Sequence, residues 1–312
     1  MSGKYATETL AADKGGIARA AEILRGGGLV AVPTETVYGL AARADSEDAV
    51  ARIYEAKGRP SFNPLIVHVS SLATAREIAD FSPRAEELAE AYWPGPLTLV
   101  LPRRRDAKLA DAVTARLETV ALRMPNHPIM RDLLAILDFP MAAPSANRSG
   151  YISPTSAQHV LSSLDGRIDA VIEGGACSEG LESTIVAVRR DNLTQILRPG
   201  PIEILSDDPQ RSQSETIEAP GQLASHYAPG KPVRLDVDLP YLDEFFIGFG
   251  EVGGDCSLSP EGDVDVAASR LYACLHLAAA STKPRIAVAP IPGKGIGFAI
   301  NDRLRRAATP PD

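Results

Sequence analysis

The chain has little of what secreted, zinc-stabilised or membrane proteins depend on. Its 312 residues hold three cysteines, Cys177, Cys256 and Cys274, which are scattered, odd in number and never in a Cys-x-x-Cys pair. That excludes a disulfide framework, argues against a structural zinc site and fits a reducing cytoplasm. One tryptophan and 5% aromatic residues leave no platform for stacking unpaired bases. No apolar run approaches the roughly 20 residues needed to cross a bilayer. Met1 to Gly15 is polar, so no secretory signal is expected. An excess of basic charge is also missing. Residues 1–203 carry 22 Lys and Arg against 25 Asp and Glu, and the remainder 10 against 15, for a net charge of −8. Neither part has the bulk basicity of a nucleic-acid binder. The one cationic block, Arg103-Arg104-Arg105, reads as a solvated loop. Finally, there is no phosphate-cradling loop of the Walker type. Gly26-Gly27-Gly28 precedes a strand and lacks the Lys-Ser/Thr that must follow, and Gly293-Lys294-Gly295 lacks the frame.

What is present is a pair of polar clusters at the ends of apolar segments. Lys57-Gly58-Arg59 follows a predicted helix, and Ser145-Ala146-Asn147 follows a predicted strand. Lys and Arg offer fixed positive charge to phosphate or carboxylate, while Ser and Asn can orient a sugar or phosphate oxygen. The helix dipole alone would favour cations at the end of a helix, but it does not ask for Asn63 and His68 just beyond. Together the clusters point to an anionic ligand, a nucleotide, held by dispersed side chains.

Periodicity predicts helices over 17–25, 45–57 (capped by Asp45), 84–92, 128–137 and 154–164, the last with Ser153 as cap and Pro154 at the first position. The free N–H groups of that helix start could receive a phosphate. Strands are predicted over 29–32, 65–69, 97–101, 120–123, 140–143, 170–173, 185–188 and 195–198. Residues 205–220 are rich in Asp, Ser, Gln, Glu and Pro and read as a linker. Beyond them, strands over 233–237, 245–249 and 286–289 and helices over 266–280 and 296–308 make a small second α/β unit. The fold class is therefore α/β, a sheet backed by helices followed by a small α/β unit. The expected division is 1–204, a linker or lid over 205–230, and 231–312.

The ordered series Pro33-Thr34-Glu35-Thr36-Val37-Tyr38-Gly39-Leu40, Lys57-Gly58-Arg59, Asn63-Pro64-Leu65-Ile66-Val67-His68-Val69, Trp93-Pro94-Gly95-Pro96-Leu97-Thr98, Leu122-Arg123-Met124-Pro125, Ser145-Ala146-Asn147 and Glu182-Ser183-Thr184 resembles the YrdC-type threonylcarbamoyl-AMP synthases over roughly residues 15–201. Ala219-Pro220-Gly221-Gln222-Leu223-Ala224-Ser225-His226-Tyr227-Ala228-Pro229 and Gly295-Ile296-Gly297-Phe298-Ala299-Ile300-Asn301-Asp302-Arg303-Leu304 are similar to the linker and closing motif of the long, two-domain form. The resemblance implies a twisted mixed sheet with helices and a small Rossmann-like second domain. It implies an enzyme that joins L-threonine, bicarbonate and ATP into L-threonylcarbamoyl-AMP and pyrophosphate, for the threonylcarbamoyl-adenosine of tRNA. It implies threonine contacts at Thr36, His68, Arg123, Ala143 (backbone only) and Ser183. It implies ATP contacts at Lys57, Arg59, Asn63, Thr119, Ser145, Asn147, Ser153, Arg198 and Tyr227, with Lys57 and Arg59 neutralising the phosphates. His226 and Tyr227 would form a lid.

Magnesium is expected with ATP, riding on the phosphates, because no dedicated carboxylate cluster is visible. The family further implies a monomer and a separate tRNA-transfer partner; no membrane association is expected. Two rivals remain at this stage. A non-catalytic protein binding double-stranded RNA fits a concave sheet but not the acidic balance. A carbamoyl-phosphate-dependent maturation enzyme would carry zinc-finger and acylphosphatase-like segments, which are missing here. Glu35 and Glu182 lie inside the motifs and receive no role.

Overall fold

The computed structural model describes residues 6–205, 207, 217–222 and 225–310; much of the expected linker (206, 208–216 and 223–224) lies outside the described residues, as does the start of the polar N-terminal stretch. In chain order the first part contains β1 (Glu8–Ala11), α1 (Lys14–Arg25), β2 (Val30–Val32), β3 (Gly39–Arg43), α2 (Glu47–Lys57), β4 (Ile66–His68), α3 (Leu72–Ile78), α4 (Pro83–Tyr92) and β5 (Leu97–Pro102). It continues through β6 (Thr119–Arg123), α5 (Pro128–Ala135), β7 (Met141–Ala142), α6 (Ala157–Leu164), β8 (Ala170–Glu173), β9 (Thr184–Val188) and β10 (Thr194–Arg198). These strands build one mixed sheet in the order β1-β8-β2-β3-β7-β4-β6-β5-β9-β10.

Strand alternation sorts this sheet into two unlike faces. Leu29, Ala31, Leu40, Val67, Leu99, Leu122 and Val186 point one way into the largest core, which α2, α3, α4 and α6 cover. On the opposite face α1 and α5 cover only one half, packing Ile17, Leu24, Met130 and Leu133 on Val30, Val32 and Met141. Among the described residues no helix contributes to the apolar cluster on the other half of that face. A small apolar floor of Ile66, Val100, Ala121, Ile185, Ala187 and Leu197 lies there, touched from above by Ala219. This uncovered half is where the polar motif residues emerge.

The second part contains β11 (Val233–Arg234), β12 (Glu244–Gly248), β13 (Cys256–Ser257), α7 (Val264–Ala280), β14 (Arg285–Val288) and α8 (Gly297–Ala308). Its four strands are all parallel, in the order β11-β14-β12-β13. Its apolar core reaches across to Val37, Ile152, Leu181 and Tyr227. The two parts therefore share buried surface.

Two predicted caps are corrected. Asp45 does not cap α2: Arg43 grips its carboxylate at 2.7 and 2.8 Å, and Ser46 accepts the Ala49 N–H instead. Gly58 does end α2, in the left-handed region at φ 59°. Ser153 does not cap a helix either. The Tyr38 N–H donates to the Pro154 carbonyl, holding that stretch outside the helix, and α6 starts at Ala157 with Ser156 as cap. A phosphate at a helix start beginning with Pro154 is thereby withdrawn. The predictions also passed over β1, β3, α3 and β13.

Candidate active site

The sheet's uncovered half carries the site because side chains two apart on one strand share a face. His68 sits beyond Ile66 on β4, Arg123 beyond Ala121 on β6, and Ser183 two residues before Ile185 at the start of β9. His68 and Arg123 are directly paired across parallel strands. Gly200 lets the chain leaving β10 pass close to β9, since a Cβ there would lie 2.4 Å from the Thr184 nitrogen.

The resulting cavity is lined by Thr34, Thr36, Val37, Gly39, Arg59, Ile66, His68, Arg123, Ala143, Pro144, Ser145, Glu182, Ser183, Arg198, Pro220, Gly221, His226 and Tyr227. It brings together all five residues expected for threonine. Of those expected for ATP it gathers Arg59, Ser145, Arg198 and Tyr227.

The Arg123 guanidinium is fully oriented. Its Nη1 donates to Thr36 Oγ1 at 2.8 Å, Nη2 to Glu35 Oε1 at 2.5 Å and Nε to the Gly95 carbonyl at 3.3 Å. Glu35 in turn accepts the Asn126 N–H. Thr34 ties the same turn, its hydroxyl donating to the Val37 carbonyl at 2.7 Å. Ser183 is held between Thr98 Oγ1 at 2.7 Å and Arg198 Nη2 at 3.1 Å. The Ala143 N–H is spent on the Ile66 carbonyl.

Arg59 folds back on its own loop, donating to the Asn63 carbonyl, to Asn63 Oδ1 and to the Pro64 carbonyl. Its Nη1 has no hydrogen bond among the described residues. Burial first, and the Arg198 charge after it, lower the Arg59 guanidinium to about 10. Burial lowers Arg198 as well. Three guanidinium groups thus face one small space with one ionised carboxylate on its wall, a field that favours an anion. His68 is held down at about 3 by burial and by Arg123, and its Nδ1 is buried without a partner. His226 Nδ1 and Asn147 Oδ1 are likewise buried, and all three atoms are unpartnered among the described residues. Unsatisfied buried polar atoms are costly, and three in this neighbourhood mark places where a ligand would complete the bonding.

The remaining expected residues lie around the cavity. Lys57 runs beneath the 145–147 loop, its ammonium donating to the Ser145 and Asn147 carbonyls, and does not line the cavity. Asn147 Nδ2 braces the loop through the Arg148 and Tyr151 carbonyls. Ser153 donates to Glu182 Oε1 at 2.6 Å. Thr119 lies on the same face of β6 as Arg123, about 13 Å further along the strand. Arg103 and Arg104 each pair with an aspartate, Asp111 and Asp106.

The roof is the segment around His226 and Tyr227. Gly221 crosses Arg198 so closely that a Cβ would sit 2.9 Å from its Cδ. Tyr227 adopts φ 63°, unusual for so bulky a residue, and its ring packs against His226 and Tyr272. The next residue is anchored by the Ala228 N–H on the Gly150 carbonyl. With this roof in place the remaining space is about 40 Å³, enough for on the order of three waters.

Sequence reasoning missed Thr34, Thr98, Glu35 and Glu182. Glu35 and Glu182 are buried carboxylates within the motifs, each meeting an arginine distant in sequence, Arg123 on β6 and Arg303 on α8; only the folded chain reveals these pairings. Among the described residues no group of three or more His, Cys, Asp or Glu side chains is placed to hold a metal, and no helix is long and apolar enough to cross a membrane.

Comparison with known proteins places the whole chain in a family. The Sua5–YciO–YrdC family model, described as "Telomere recombination", matches residues 22–200, and the model described as "Threonylcarbamoyl-AMP synthase, C-terminal domain" matches residues 187–309. The threonylcarbamoyl-AMP synthase of Bacillus subtilis is 39% identical over 97% of this chain and 95% of its own. That of Pyrococcus abyssi is 38% identical over 93% of each. The crystal structure of P. abyssi Sua5 complexed with L-threonine superposes with a TM-score of 0.86 at 35% identity, covering 97% of this chain and 98% of that one. A putative threonylcarbamoyl-AMP synthase of Mycobacterium tuberculosis covers 60% of this chain. With its fold and both of its halves matched, the chain belongs to the Sua5–YciO–YrdC family and is a synthase of the nucleotidyltransferase type in the long, two-domain form.

Proposed function

We propose that this enzyme makes L-threonylcarbamoyl-AMP from L-threonine, bicarbonate and ATP, releasing pyrophosphate, and that its product serves the threonylcarbamoyl-adenosine modification of tRNA. The observation that carries this reading is the convergence of Arg59, Arg123 and Arg198 in one roofed cavity with His68 and His226, whose Nδ1 atoms are unpartnered among the described residues. The names of the full-length relatives support it.

The chemistry has two steps. The threonine amine attacks the carbon of bicarbonate or CO2; an N–C bond forms and the amine loses a proton, and with bicarbonate a water equivalent leaves. A carbamate oxygen then attacks the α-phosphorus, and the bond to the β-phosphate oxygen breaks to release pyrophosphate. Arg123, already oriented by Thr36, Glu35 and Gly95, would take the threonine carboxylate, with Ser183 and His68 beside it. Arg59 and Arg198 would offset the charge that builds on the phosphates. The lining offers hydroxyl and carbonyl oxygens, which fits a magnesium ion carried in on the triphosphate with its waters. Magnesium would supply further charge compensation there. Lys57 would act from below by fixing the Ser145–Asn147 loop.

Because the roofed cavity has room for only a few waters, 225–229 must lift to admit substrates and close again over them. Closure would keep water from a carbamate and a mixed anhydride that hydrolyse readily. We place the enzyme in the cytoplasm as a monomer, handing its product to a separate transfer machinery. The test is pyrophosphate release with ATP, Mg2+ and bicarbonate, with and without L-threonine. Threonine-dependent release, only weakly supported by serine, is the expected result. No threonine dependence together with tight binding of duplex RNA would replace this reading with a binding protein.

A further inference from the structure

We propose that Arg303, carried on the C-terminal helix α8, is a positioning residue of the active site: from the second domain it clamps Glu182 and Tyr227, and so holds both the Ser183 wall and the closed roof in place. The inference rests on the synthase reading above.

Arg303 has 0% exposure and is the largest fully buried side chain among the described residues. A guanidinium in such a place must be completely matched. Its Nε donates to Glu182 Oε2 at 3.0 Å, its Nη2 to the Pro199 carbonyl at 2.9 Å and its Nη1 to Asp302 at 2.8 Å. Its Cζ lies 5.4 Å from the centre of the Tyr227 ring. Apart from Asp302 on its own helix, each of these groups adjoins the cavity. Glu182 precedes Ser183, Pro199 follows Arg198, and Tyr227 is the roof.

The second domain reaches the same carboxylate a second time. Tyr272 on α7 donates its hydroxyl to Glu182, 2.8 Å from Oε2 and 3.0 Å from Oε1, and its ring lies 5.6 Å from that of Tyr227. With the Ser153 hydroxyl, Glu182 is bound from both domains at once.

Docking alone does not require this arrangement. Val37, Ile152 and Leu181 already sit in the second domain's apolar core, and burial of apolar surface is the stronger adhesive. A buried ion pair adds little net stability because desolvation offsets its attraction, but it does fix geometry. Here it fixes the residue before Ser183 and the ring that closes the cavity. Removing Arg303 would leave Glu182 buried with hydroxyl partners only, free to turn, and Tyr227 without its stop.

The experiment compares full-length wild type with Arg303→Met, Arg303→Lys and Tyr272→Phe. It measures kcat and KM for threonine, ATP consumed per threonylcarbamoyl-AMP formed, and hydrogen exchange at 225–229 and in α7. Arg303→Met is expected to lower kcat at least tenfold, raise ATP consumption per product and speed exchange at 225–229, with α7 still protected. Arg303→Lys should recover part of the loss, and Tyr272→Phe should raise the KM for threonine severalfold. Combining Arg303→Met with Glu182→Gln should cost no more than Arg303→Met alone, because the two act as a unit. Kinetics within twofold of wild type and unchanged exchange at 225–229 would overturn the proposal. If Arg303→Met also exposes α7, the folded Arg303→Lys and Tyr272→Phe decide by the same criteria. A wild type without threonine-dependent turnover would remove the synthase reading instead; the exchange at 225–229 would still decide whether Arg303 holds the roof.

Discussion

At the residue scale, the most informative contrast is between Arg123 and Lys57. Both are buried cations in the motifs, yet Arg123 faces the cavity while Lys57 is spent on two carbonyls below it. Arg123→Lys keeps the charge but loses the fork that meets Thr36, Glu35 and Gly95. Its expected cost is about 2 kcal/mol, seen as a more than tenfold rise in the KM for threonine with that for ATP nearly unchanged. Lys57→Met leaves the buried Asn147 carbonyl without its donor and the Ser145 carbonyl with the Asn147 N–H alone, so it should lower stability by about 2 kcal/mol, read as a drop in the denaturation midpoint. A Lys57→Met protein of native stability that fails only in ATP binding would instead put the ammonium on the phosphates. The motif resemblance gave Arg123 the threonine and Lys57 the phosphates, but it did not show Lys57 bound to two carbonyls beneath the loop. Which side of the 145–147 loop Lys57 approaches depends on how α2 packs on the sheet, and no local pattern encodes that.

Most helices and strands were legible at the element scale. Leu29, Ala31, Leu40 and Leu122 show the alternation of buried strands, and Gly58 marks the end of α2. The failures were at starts and short pieces. Ser153-Pro154 has the composition of a helix cap, but the Tyr38 N–H takes the Pro154 carbonyl, and this long-range bond outweighs the local preference. Strand β3 follows a polar turn and contains Gly and two alanines, so its composition conceals a role that its two neighbours, β2 and β7, impose.

The contact between α6 and α7 carries a pH prediction. His159 and His276 stack with ring centres 3.8 Å apart, and His276 also faces the Ser153 carbonyl at 3.2 Å. Burial lowers both imidazoles, His276 to about 4 with His159 as the next cause. A histidine with a folded pKa below its unfolded value of about 6.5 binds fewer protons when folded, so stability falls as pH drops through 6.5 and the loss levels off below about 4. At pH 5 His276 alone should account for about 2 kcal/mol. Denaturation midpoints from pH 7 to 5 should therefore fall less steeply for His276→Gln than for wild type. His68 and His226 act in the same direction and leave a residual slope in both.

The roof can be tested as an element too. Replacing 219–229 by a Gly-Ser segment of equal length should abolish synthesis or leave ATP hydrolysis without product. Unchanged kinetics would show that closure is not needed.

At the scale of the whole molecule, the α/β class, the large mixed sheet and a second parallel-sheet unit could be read from the order of strands and helices. How the two halves meet could not. The motif containing Asn301, Asp302 and Arg303 could be read as a docking element of the second domain, but not as one whose arginine meets a carboxylate 121 positions earlier. Such pairings depend on relative placement of two folded parts, which neither periodicity nor capping describes.

The large sheet is also assembled far out of chain order. Its edge pairs 8–11 with 170–173, its roof comes from 226–227, and its clamp from 303. During synthesis, therefore, the ribosome releases the arginines of the cavity long before the parts that enclose and align them. A message broken between codons 198 and 303 yields a chain with those arginines but without the clamp that holds the site shut. Incomplete copies would then turn little threonine and ATP into product, and full output would itself report full-length translation.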